Sequence, residues 1–480
     1  MARADIREVV PTSEGTEFDV VVIGGGPGGY AAALYGAAAG LSVAVVEKDK
    51  VGGTCLHRGC IPAKEFLETA AVVRTVSGAK EFGVQAGAPS VDFSVSQGRK
   101  QKVVDQLHKG LAGLMKGRGI TTVEGTGTLL PGRRVQVTDA AGTTRELSGA
   151  NVVLAAGSVP RTIPGFEVDG RRVLTSDEVL ALDALPASVA VIGGGAIGCE
   201  FASMFSDLGT QVTVLEALPS ILTGCDDDVV GVVAKSFRKR GIAVHTGVTV
   251  QGHTPNGSAT TVVFGDGQSV TVDAVVVSVG RRPRSDGLLA DGTGVVVDER
   301  GFVVVDDRLR TAAEGVWAIG DLVDTPQLAH VGFAEAIVVV KSILGEPVVP
   351  VDYARVPWAV YCHPEVAFAG LTEAAARAAG YDVVVQKDPF GGNSRARIIG
   401  ETDGLVKVVA ERGPDGRAGR ILGVHMAGPW VTEQLGQGYL AVNWEATVDE
   451  VAHFVQPHPT LSEGFGETVL ALTGRGLHVG

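Results

Sequence analysis

The chain has 480 residues, 45% hydrophobic and 20% charged, which is typical of a folded protein of about three or four domains and excludes a disordered chain or a disulfide-stapled miniprotein. Its 41 Lys and Arg residues against 54 Asp and Glu residues give a net charge of −13, and no basic patch offsets it, which excludes nucleic acid and anionic membranes as partners. The 5 cysteines are few for this length and predict a reducing compartment with at most one redox-active pair.

Neither the N-terminus nor any internal stretch has the pattern of a targeting or membrane segment. Residues 1–17 mix acidic and basic side chains without an apolar run, which predicts a frayed extension and not a signal peptide or a transit helix. The most apolar stretches, 18–23 and 272–279, are far shorter than the ~20 residues that cross a bilayer. We therefore expect a cytoplasmic protein without a membrane span.

One strand–turn–helix–strand pattern occurs twice. Its turns are rich in glycine, a residue that makes up 67 of the 480 positions against the usual ~7%. In the first copy the predicted strand, turn, helix and second strand are 19–23, 24–29, 30–39 and 42–46, followed by Glu47. In the second copy they are 188–192, 193–198, 199–208 and 211–215, followed by Glu216.

Each turn has three glycines in the spacing G-x-G-x-x-G. The first glycine permits the tight turn, the second lets the backbone approach a pyrophosphate, and the third lets the helix pack closely on the strand. The acidic residue after the second strand is suited to bind ribose hydroxyls. A single match is weak evidence, and an ordinary strand–turn–helix without ligand is the alternative. Two complete copies predict two dinucleotide sites.

Glu216 indicates which nicotinamide cofactor the second copy binds. A carboxylate accepts a hydrogen bond from the free 2′-hydroxyl of NAD and repels the 2′-phosphate of NADP. The next basic residue is Lys235, so residues 217–234 contain no phosphate clamp. The sequence therefore predicts NAD and not NADP.

Two cysteines, Cys55 and Cys60, lie between the first copy and the next predicted helix. Their i, i+5 spacing differs from the C-x-x-C of thioredoxin-like sites and from the paired C-x-x-C sets of zinc sites, so we expect no metal. Two buried thiols that pack as small apolar groups are the alternative. Flanking glycines beside a nucleotide-binding pattern favour a redox pair.

The segment 53–64, Gly-Thr-Cys-x4-Cys-Ile-Pro-x-Lys, beside an N-terminal G-x-G-x-x-G, resembles the flavin-dependent pyridine nucleotide-disulfide oxidoreductases, most closely the members that act on dihydrolipoamide. The resemblance spans nearly the whole chain. Segments 152–157, 279–283, 311–321, 362–367 and 422–429 are similar to further motifs of this family.

The resemblance implies two cofactors, a tightly but non-covalently bound FAD in the first copy and NAD in the second. The residues that match the family's FAD positions are Gly24, Gly26, Gly29, Glu47, Gly53, Thr54, Lys64, Gly157, Asp321 and Ala329. Those that match its NAD positions are Gly193, Gly195, Gly198, Glu216 and Gly280.

The resemblance also implies an α/β fold class, with two Rossmann-like dinucleotide-binding domains and a C-terminal α+β dimerisation domain. We expect the first part of the FAD-binding domain, with its N-terminal extension 1–17, at 1–158. The NAD-binding domain is expected at 159–283, the central second part of the FAD-binding domain at 284–352, and the dimerisation domain at 353–480.

Near the C-terminus, His458 precedes Glu463 by five residues, a pattern that by itself fits a surface histidine near a chance glutamate. The resemblance implies that His458, oriented by Glu463, is the acid/base for the substrate thiol and acts on the neighbouring subunit, with a cis His458–Pro459 bond. It also implies that Lys64 pairs with Glu200 near the flavin; an exposed helical lysine and a helix-surface glutamate are the alternative.

The sequence departs from the family at two places. Family members often carry a further histidine at position 456, where this chain has Gln456, and Arg284 replaces a commonly polar residue. The first departure leaves the proposed base intact but affects the detail of the substrate channel.

The implied activity is oxidation of protein-bound dihydrolipoamide to lipoamide through the Cys55–Cys60 disulfide and FAD, with reduction of NAD⁺. The implied partners are a second copy in a homodimer and the lipoyl domains and acyltransferase core of a 2-oxo acid dehydrogenase complex. Three alternatives remain open, namely an NAD(P)H-dependent reductase of another small disulfide, a quinone reductase, and a non-catalytic subunit of such a complex.

Overall fold

The computed structural model describes residues 16–478, so most of the predicted extension 1–17 lies outside the described residues. The helices are α1 (Pro27–Ala38), α2 (Gly53–Arg58), α3 (Cys60–Gly78), α4 (Phe93–Gly117), α5 (Ser176–Val179), α6 (Ala196–Asp207), α7 (Asp227–Lys239), α8 (Ala329–Ile343), α9 (Glu373–Ala378), α10 (Ser394–Ile398), α11 (Val431–Gln434), α12 (Gly436–Asn443), α13 (Val448–Ala452) and α14 (Glu463–Leu472).

The strands form two long uninterrupted runs, within residues 121–174 and 243–318, and alternate with helices elsewhere. They are β1 (Glu17–Ile23), β2 (Val43–Glu47), β3 (Thr121–Glu124), β4 (Thr126–Leu130), β5 (Arg134–Thr138), β6 (Thr144–Leu154), β7 (Ser158–Pro160), β8 (Val173–Leu174), β9 (Ser188–Ile192), β10 (Gln211–Leu215), β11 (Ala243–His245), β12 (Val250–Asn256), β13 (Ala259–Phe264), β14 (Gln268–Val272), β15 (Ala274–Val277), β16 (Arg281–Pro283), β17 (Val316–Ala318), β18 (Trp358–Val360), β19 (Glu365–Gly370), β20 (Val383–Pro389), β21 (Leu405–Arg412) and β22 (Ala418–Gly428). Across residues 16–478, none of the helices has the length and apolar character that crossing a membrane requires.

One compact unit consists of the described residues up to Glu65, together with Val95–Arg161 and Arg281–Tyr353. Its main sheet has the order β3-β2-β1-β6-β5-β4, and β17 pairs with β6. Strand β1 runs parallel to β2 and β6, whereas β4, β5 and β6 are antiparallel. The β-branched residues of β1 and β2 are almost fully buried, as expected for central strands of a sheet covered on both faces.

A second compact unit consists of Phe66–Ser94, Thr162–Gly280 and the described residues from Ala354 onward. It contains a parallel sheet of order β11-β10-β9-β15-β8 and an antiparallel sheet β12-β13-β14. The C-terminal part forms an antiparallel sheet of order β18-β19-β22-β21-β20, on which α12 and α14 pack. The buried cores of the parallel sheet and of the C-terminal sheet are separate.

The structure confirms the predicted repeat and the fold class. Strands β9 and β10 have the predicted bounds, while α6 begins at Ala196, three residues before the predicted start. The reason is that Gly195 is the last extended residue, so the helix starts directly after it and the third glycine, Gly198, falls in the first turn. The domain boundaries at 158, 283 and 352 stay predictions.

Candidate active site

The first glycine-rich turn connects β1 to α1 and leaves room for a ligand at one glycine only. Gly24 has φ +106°, and a Cβ there would lie 2.2 Å from the Ala155 carbonyl oxygen. A Cβ on Gly29 would lie 1.8 Å from the Gly24 carbonyl oxygen, so α1 packs directly on the turn. At Gly26 the nearest atom is the Gly53 Cα, at 4.0 Å. Because no side chain caps α1 at Gly26, its first N–H groups fit a phosphate.

Glu47 ties the end of β2 to this turn. One carboxylate oxygen, Oε2, accepts from the Gly25 amide at 2.7 Å, and Oε1 accepts from the Asp49 amide at 3.0 Å. A carboxylate offers about four acceptor sites, so both oxygens retain capacity for ribose hydroxyls. The predicted ribose acceptor is therefore held in place by the backbone of the turn that it follows.

The second glycine-rich turn reproduces these contacts almost atom for atom. A Cβ on Gly198 would lie 1.9 Å from the Gly193 carbonyl oxygen, whereas nothing lies within 4 Å of one on Gly195. Glu216, 8% exposed, accepts from the Gly194 amide at 2.5 Å through Oε2 and from the Leu218 amide at 2.7 Å through Oε1. The residues present thus fit two dinucleotides, one on each turn.

Three further predicted cofactor glycines outside the two turns, Gly53 and Gly157 for FAD and Gly280 for NAD, also have positive φ. The angles are +99° at Gly280, +57° at Gly53 and +73° at Gly157. A Cβ on Gly53 would lie 2.6 Å from the Gly26 Cα, so the backbone before the cysteines contacts the first glycine-rich turn. Ala329, a further predicted FAD residue, is the first residue of α8.

Asp321, which the resemblance places at an FAD position, follows Gly320 in a short 3₁₀ turn, Gly320–Leu322. Its Oδ2 accepts from Ser158 Oγ at 2.5 Å, and the Arg281 guanidinium lies 3.8 Å from the same oxygen. Arg281 also donates from Nε to Ser158 Oγ at 2.7 Å. Nothing in the sequence singled out Ser158, which directly follows segment 152–157, or indicated a role for Arg281, which lies within segment 279–283.

Cys55 and Cys60 lie on consecutive helices, α2 and α3, separated by Gly59. A Cβ on Gly59 would lie 3.0 Å from the Thr54 carbonyl oxygen, so a larger residue would displace the turn that carries Cys55. The hydrogen bond to Cys60, burial and the Cys60 charge raise the pKa of the Cys55 thiol far above its usual value, and the Lys64 charge opposes this. These effects favour the protonated form of Cys55 beside Cys60.

Tyr30, which directly follows Gly29, was not singled out from the sequence. Burial, and then the charges of Cys55 and Cys60, raise the pKa of Tyr30 to about 12. The phenol therefore stays protonated beside the cysteine pair. Its position after the third glycine was the available signal.

His57 and His108 both bind the carbonyl oxygen of Val51, ahead of the cysteine helix. His57 Nε2 lies 3.0 Å and His108 Nδ1 lies 3.1 Å from that oxygen, and the ring centroids are 5.2 Å apart. Each ring donates to the carbonyl, and together they hold the loop that precedes α2. The sequence contained no signal for this pairing because His108 lies on the distant helix α4.

The structure brings His458 and Glu463 together. His458 Nδ1 lies 3.0 Å from Glu463 Oε2, and the His458–Pro459 bond is cis, so both predicted features are confirmed. The histidine side chain is 66% exposed and the glutamate 14% exposed. With Nδ1 bound to the carboxylate, the ring presents Nε2 as its second proton-transfer position.

Glu200 lies on α6 and is buried, so the alternative of a helix-surface glutamate is wrong. Its Oε1 accepts from the Tyr361 amide at 2.9 Å. Lys64 lies half-buried on α3, where its charge acts on Cys55. The pairing of Lys64 with Glu200 stays a prediction.

The sequence matches the family described as "Pyridine nucleotide-disulphide oxidoreductase" over residues 18–336 and the dimerisation domain of the same family over residues 356–469. It is 42% identical to a dihydrolipoyl dehydrogenase of Bacillus subtilis (strain 168), over 96% of this chain and 99% of the relative. It is 38% identical to a dihydrolipoyl dehydrogenase of Thermus scotoductus, over 96% of this chain and 99% of that one.

Two solved structures have the same fold. The crystal structure of LpdA from Mycobacterium tuberculosis matches with a TM-score of 0.89 at 27% identity and covers 94% of this chain and 99% of its own. The HOCl-induced flavoprotein disulfide reductase RclA from Escherichia coli matches with a TM-score of 0.84 at 27% identity, over 94% of this chain and 99% of its own.

Proposed function

Since the chain belongs to the pyridine nucleotide-disulphide oxidoreductase family, we propose that it is an NAD-dependent dihydrolipoyl dehydrogenase that oxidises protein-bound dihydrolipoamide to lipoamide. The observation that carries this proposal is the hydrogen bond between the thiols of Cys55 and Cys60. Such a pair is the reduced form of a disulfide that exchanges with a dithiol. Gly53, just before the cysteine pair, contacts Gly26 of the first glycine-rich turn. This contact supports the proposal that a bound dinucleotide carries electrons next to the pair.

FAD is the cofactor assigned to the first glycine-rich turn and NAD the cofactor assigned to the second. The backbone of Gly26, the carboxylate of Glu47 and the carboxylate of Asp321 would hold the pyrophosphate, ribose and ribityl groups of FAD. Gly195 and Glu216 would hold the pyrophosphate and ribose of NAD. When bound, FAD would supply the acceptor for the electron pair of the reduced cysteine pair, and NAD⁺ would supply the final hydride acceptor.

The chain's own residues perform the thiol–disulfide exchange. His458 takes the proton of one substrate thiol, because only a thiolate is a competent nucleophile, and Glu463 orients the imidazole for this transfer. The thiolate attacks the Cys55 sulfur of the Cys55–Cys60 disulfide, and Cys60 leaves as a thiolate. The second substrate thiolate then attacks the substrate sulfur of the mixed disulfide, so lipoamide forms and Cys55 leaves.

The proton and charge balance of this exchange matches the reduced pair. Of the two substrate protons, one ends on His458 and the other on the leaving Cys55, while Cys60 keeps the negative charge. The hydrogen bond between the two sulfurs and the burial of Cys55 favour the proton on Cys55, while the Lys64 charge opposes them. Tyr30, which is held neutral beside the pair, adds no competing negative charge.

A homodimer, in which His458 of one subunit serves the cysteines of the other, is part of the proposal. The match to the family's dimerisation domain supports it. So does the exposure of Phe454 and Val455, at 66% and 96%, directly before the histidine loop, because exposed apolar side chains typically mark an interface. We further propose that the protein is cytoplasmic and that it acts as the dihydrolipoamide-oxidising component of a 2-oxo acid dehydrogenase complex. We also keep the predicted domain boundaries at 158, 283 and 352 as proposals.

The test is a steady-state assay of the purified holoenzyme with dihydrolipoamide and NAD⁺, compared with NADP⁺, and in reverse with glutathione disulfide and a quinone as acceptors. We expect turnover with dihydrolipoamide and NAD⁺, and its loss in Cys55→Ser. Cys225→Ser is the matched control, since Cys225 takes no part in the proposed chemistry, and should keep full turnover. Preferential reduction of glutathione disulfide or of the quinone would overturn the proposal.

A further inference from the structure

The mechanism above does not use the fully buried carboxylate of Glu335, which lies on α8 with 0% exposure. Its Oε2 accepts from the Gly320 amide at 2.6 Å. Its Oε1 accepts from the hydroxyls of Thr325 and Tyr353, at 2.8 Å and 3.0 Å. Burying a carboxylate is costly unless donors surround it, so three donors converging on one acid indicate a built contact.

The Gly320 amide is the most informative of these donors, because it begins the 3₁₀ turn that carries Asp321. Gly320 has φ +68°, a conformation that glycine adopts without strain. Because glycine can adopt many other conformations as well, the contacts of the turn must hold Gly320 in this one. Burial raises the pKa of Glu335, and the charge of nearby Asp321 adds to this effect. The two carboxylates are therefore close enough to interact.

The side chain of Asp321 is held from another direction. Ser158 Oγ donates to its Oδ2, and Arg281 donates both to that hydroxyl and, at 3.0 Å from Nη2, to the Ser158 carbonyl oxygen. Ser158 Oγ and, at 3.8 Å, Arg281 Nε both approach Oδ2 of Asp321, which leaves Oδ1 for a hydroxyl of a ligand. The turn is thus fixed through its backbone by Glu335 and through its side chain by Ser158 and Arg281.

We propose that Glu335 is a positioning residue for the flavin site, whose carboxylate holds the Gly320 amide and so directs Asp321 at the ribityl hydroxyls of FAD. This inference rests on the assignment of FAD in the proposed function. The proposed positioning role requires that the side chain at position 335 present a hydrogen-bond acceptor to the Gly320 amide. Glutamine meets that requirement, because its amide oxygen faces Gly320 while its NH₂ group donates to the two hydroxyls, which can rotate and accept. Leucine fills a similar volume without an acceptor.

The experiment measures FAD release after dilution of the holoenzyme, from the fluorescence of the freed flavin, for Glu335→Leu, Glu335→Gln and the wild type. We expect the FAD dissociation constant to rise about tenfold or more in the leucine variant, the effect of one lost hydrogen bond to a charged group. The glutamine variant should stay within about threefold of the wild type, a difference smaller than one neutral hydrogen bond. Ile337→Ala, an exposed position on the same helix, is the matched control and should leave FAD release unchanged.

A merely structural role is distinguished by the NADH dissociation constant, which should remain unchanged in all variants because Glu335 has no contact with the second glycine-rich turn. If Glu335→Leu is not recovered as folded protein, Tyr353→Phe decides, since it removes one partner of the carboxylate and should speed FAD release. Wild-type FAD affinity in the leucine variant, or in Tyr353→Phe if only that is available, overturns the inference. So does an equal loss in the leucine and glutamine variants. Absence of FAD from the wild-type protein would instead overturn the proposed function.

Discussion

Replacing Glu216 by glutamine tests whether the second glycine-rich turn binds NAD. The two oxygens of Glu216 accept from the amides of Gly194 and Leu218, at 2.5 and 2.7 Å. Glutamine has the same shape, but its NH₂ group must face one of these amides, so one buried donor loses its acceptor. An unsatisfied buried donor costs about 1–3 kcal/mol. If the turn bears this cost in its cofactor-binding conformation, affinity for NAD⁺ falls by about 5- to 150-fold.

The repeat within the chain supplies a matched control. Glu47 makes the corresponding two bonds, to the amides of Gly25 and Asp49, at 2.7 and 3.0 Å. Glu47→Gln should therefore weaken FAD retention and leave the KM for NAD⁺ unchanged, whereas Glu216→Gln should raise that KM and leave FAD retention unchanged.

The assay combines the KM for NAD⁺ at saturating dihydrolipoamide with the flavin content after gel filtration, measured by absorbance. The wild type should also prefer NAD⁺ to NADP⁺, because the Glu216 carboxylate repels a 2′-phosphate. An exchanged pattern, with Glu47→Gln acting on NAD⁺, would show that the two turns have been assigned to the wrong cofactors. Equal effects of both variants on both cofactors would show that the glutamates are merely structural.

Three further predictions concern the thiol chemistry and the effect of pH. Cys55→Ser should show a permanent long-wavelength thiolate–flavin absorbance because Cys60 stays ionised, and Cys60→Ser should lack it; identical spectra would refute the division of roles. Glu463→Ala should slow dihydrolipoamide turnover by about 10- to 100-fold, the effect of a lost charge-assisted hydrogen bond, while NADH oxidation by an artificial acceptor is spared, and a parallel loss of both activities would contradict this. Burial, with two neighbouring arginine charges, lowers the pKa of His363 to about 3. Because the unfolded chain then takes up a proton that the folded chain does not, stability falls with decreasing pH below about 6.5, by about 1.4 kcal/mol per pH unit. The fall in the unfolding midpoint between pH 7 and pH 5 should be smaller in His363→Leu than in the wild type, and equal falls would refute the argument.

The repeat, its helices and strands, and the positions of the glycines could be predicted because each depends on neighbours close in sequence. A run of β-branched residues forms a buried strand, and Gly24 and Gly193 stand where positive φ admits little else. The prediction of α6 began three residues late because G-x-G-x-x-G does not reveal which glycine is the last extended one. That boundary depends on how Gly198 packs against Gly193.

The sequence by itself determined the chemistry-bearing residues, namely the cysteine pair, the histidine with its glutamate, and the two acids that follow the glycine-rich turns. Only the tertiary structure decided what holds them. Ser158 binds Asp321 across a separation of 163 residues, and His108 reaches the loop at Val51 across 57 residues. Glu335 lies within an apolar helix that the sequence does not distinguish, and its proposed role follows only from the hydrogen bond that it accepts from the Gly320 amide. Such bonds join side chains to distant backbone groups, so they follow no period along the chain, and only folding brings donor and acceptor together.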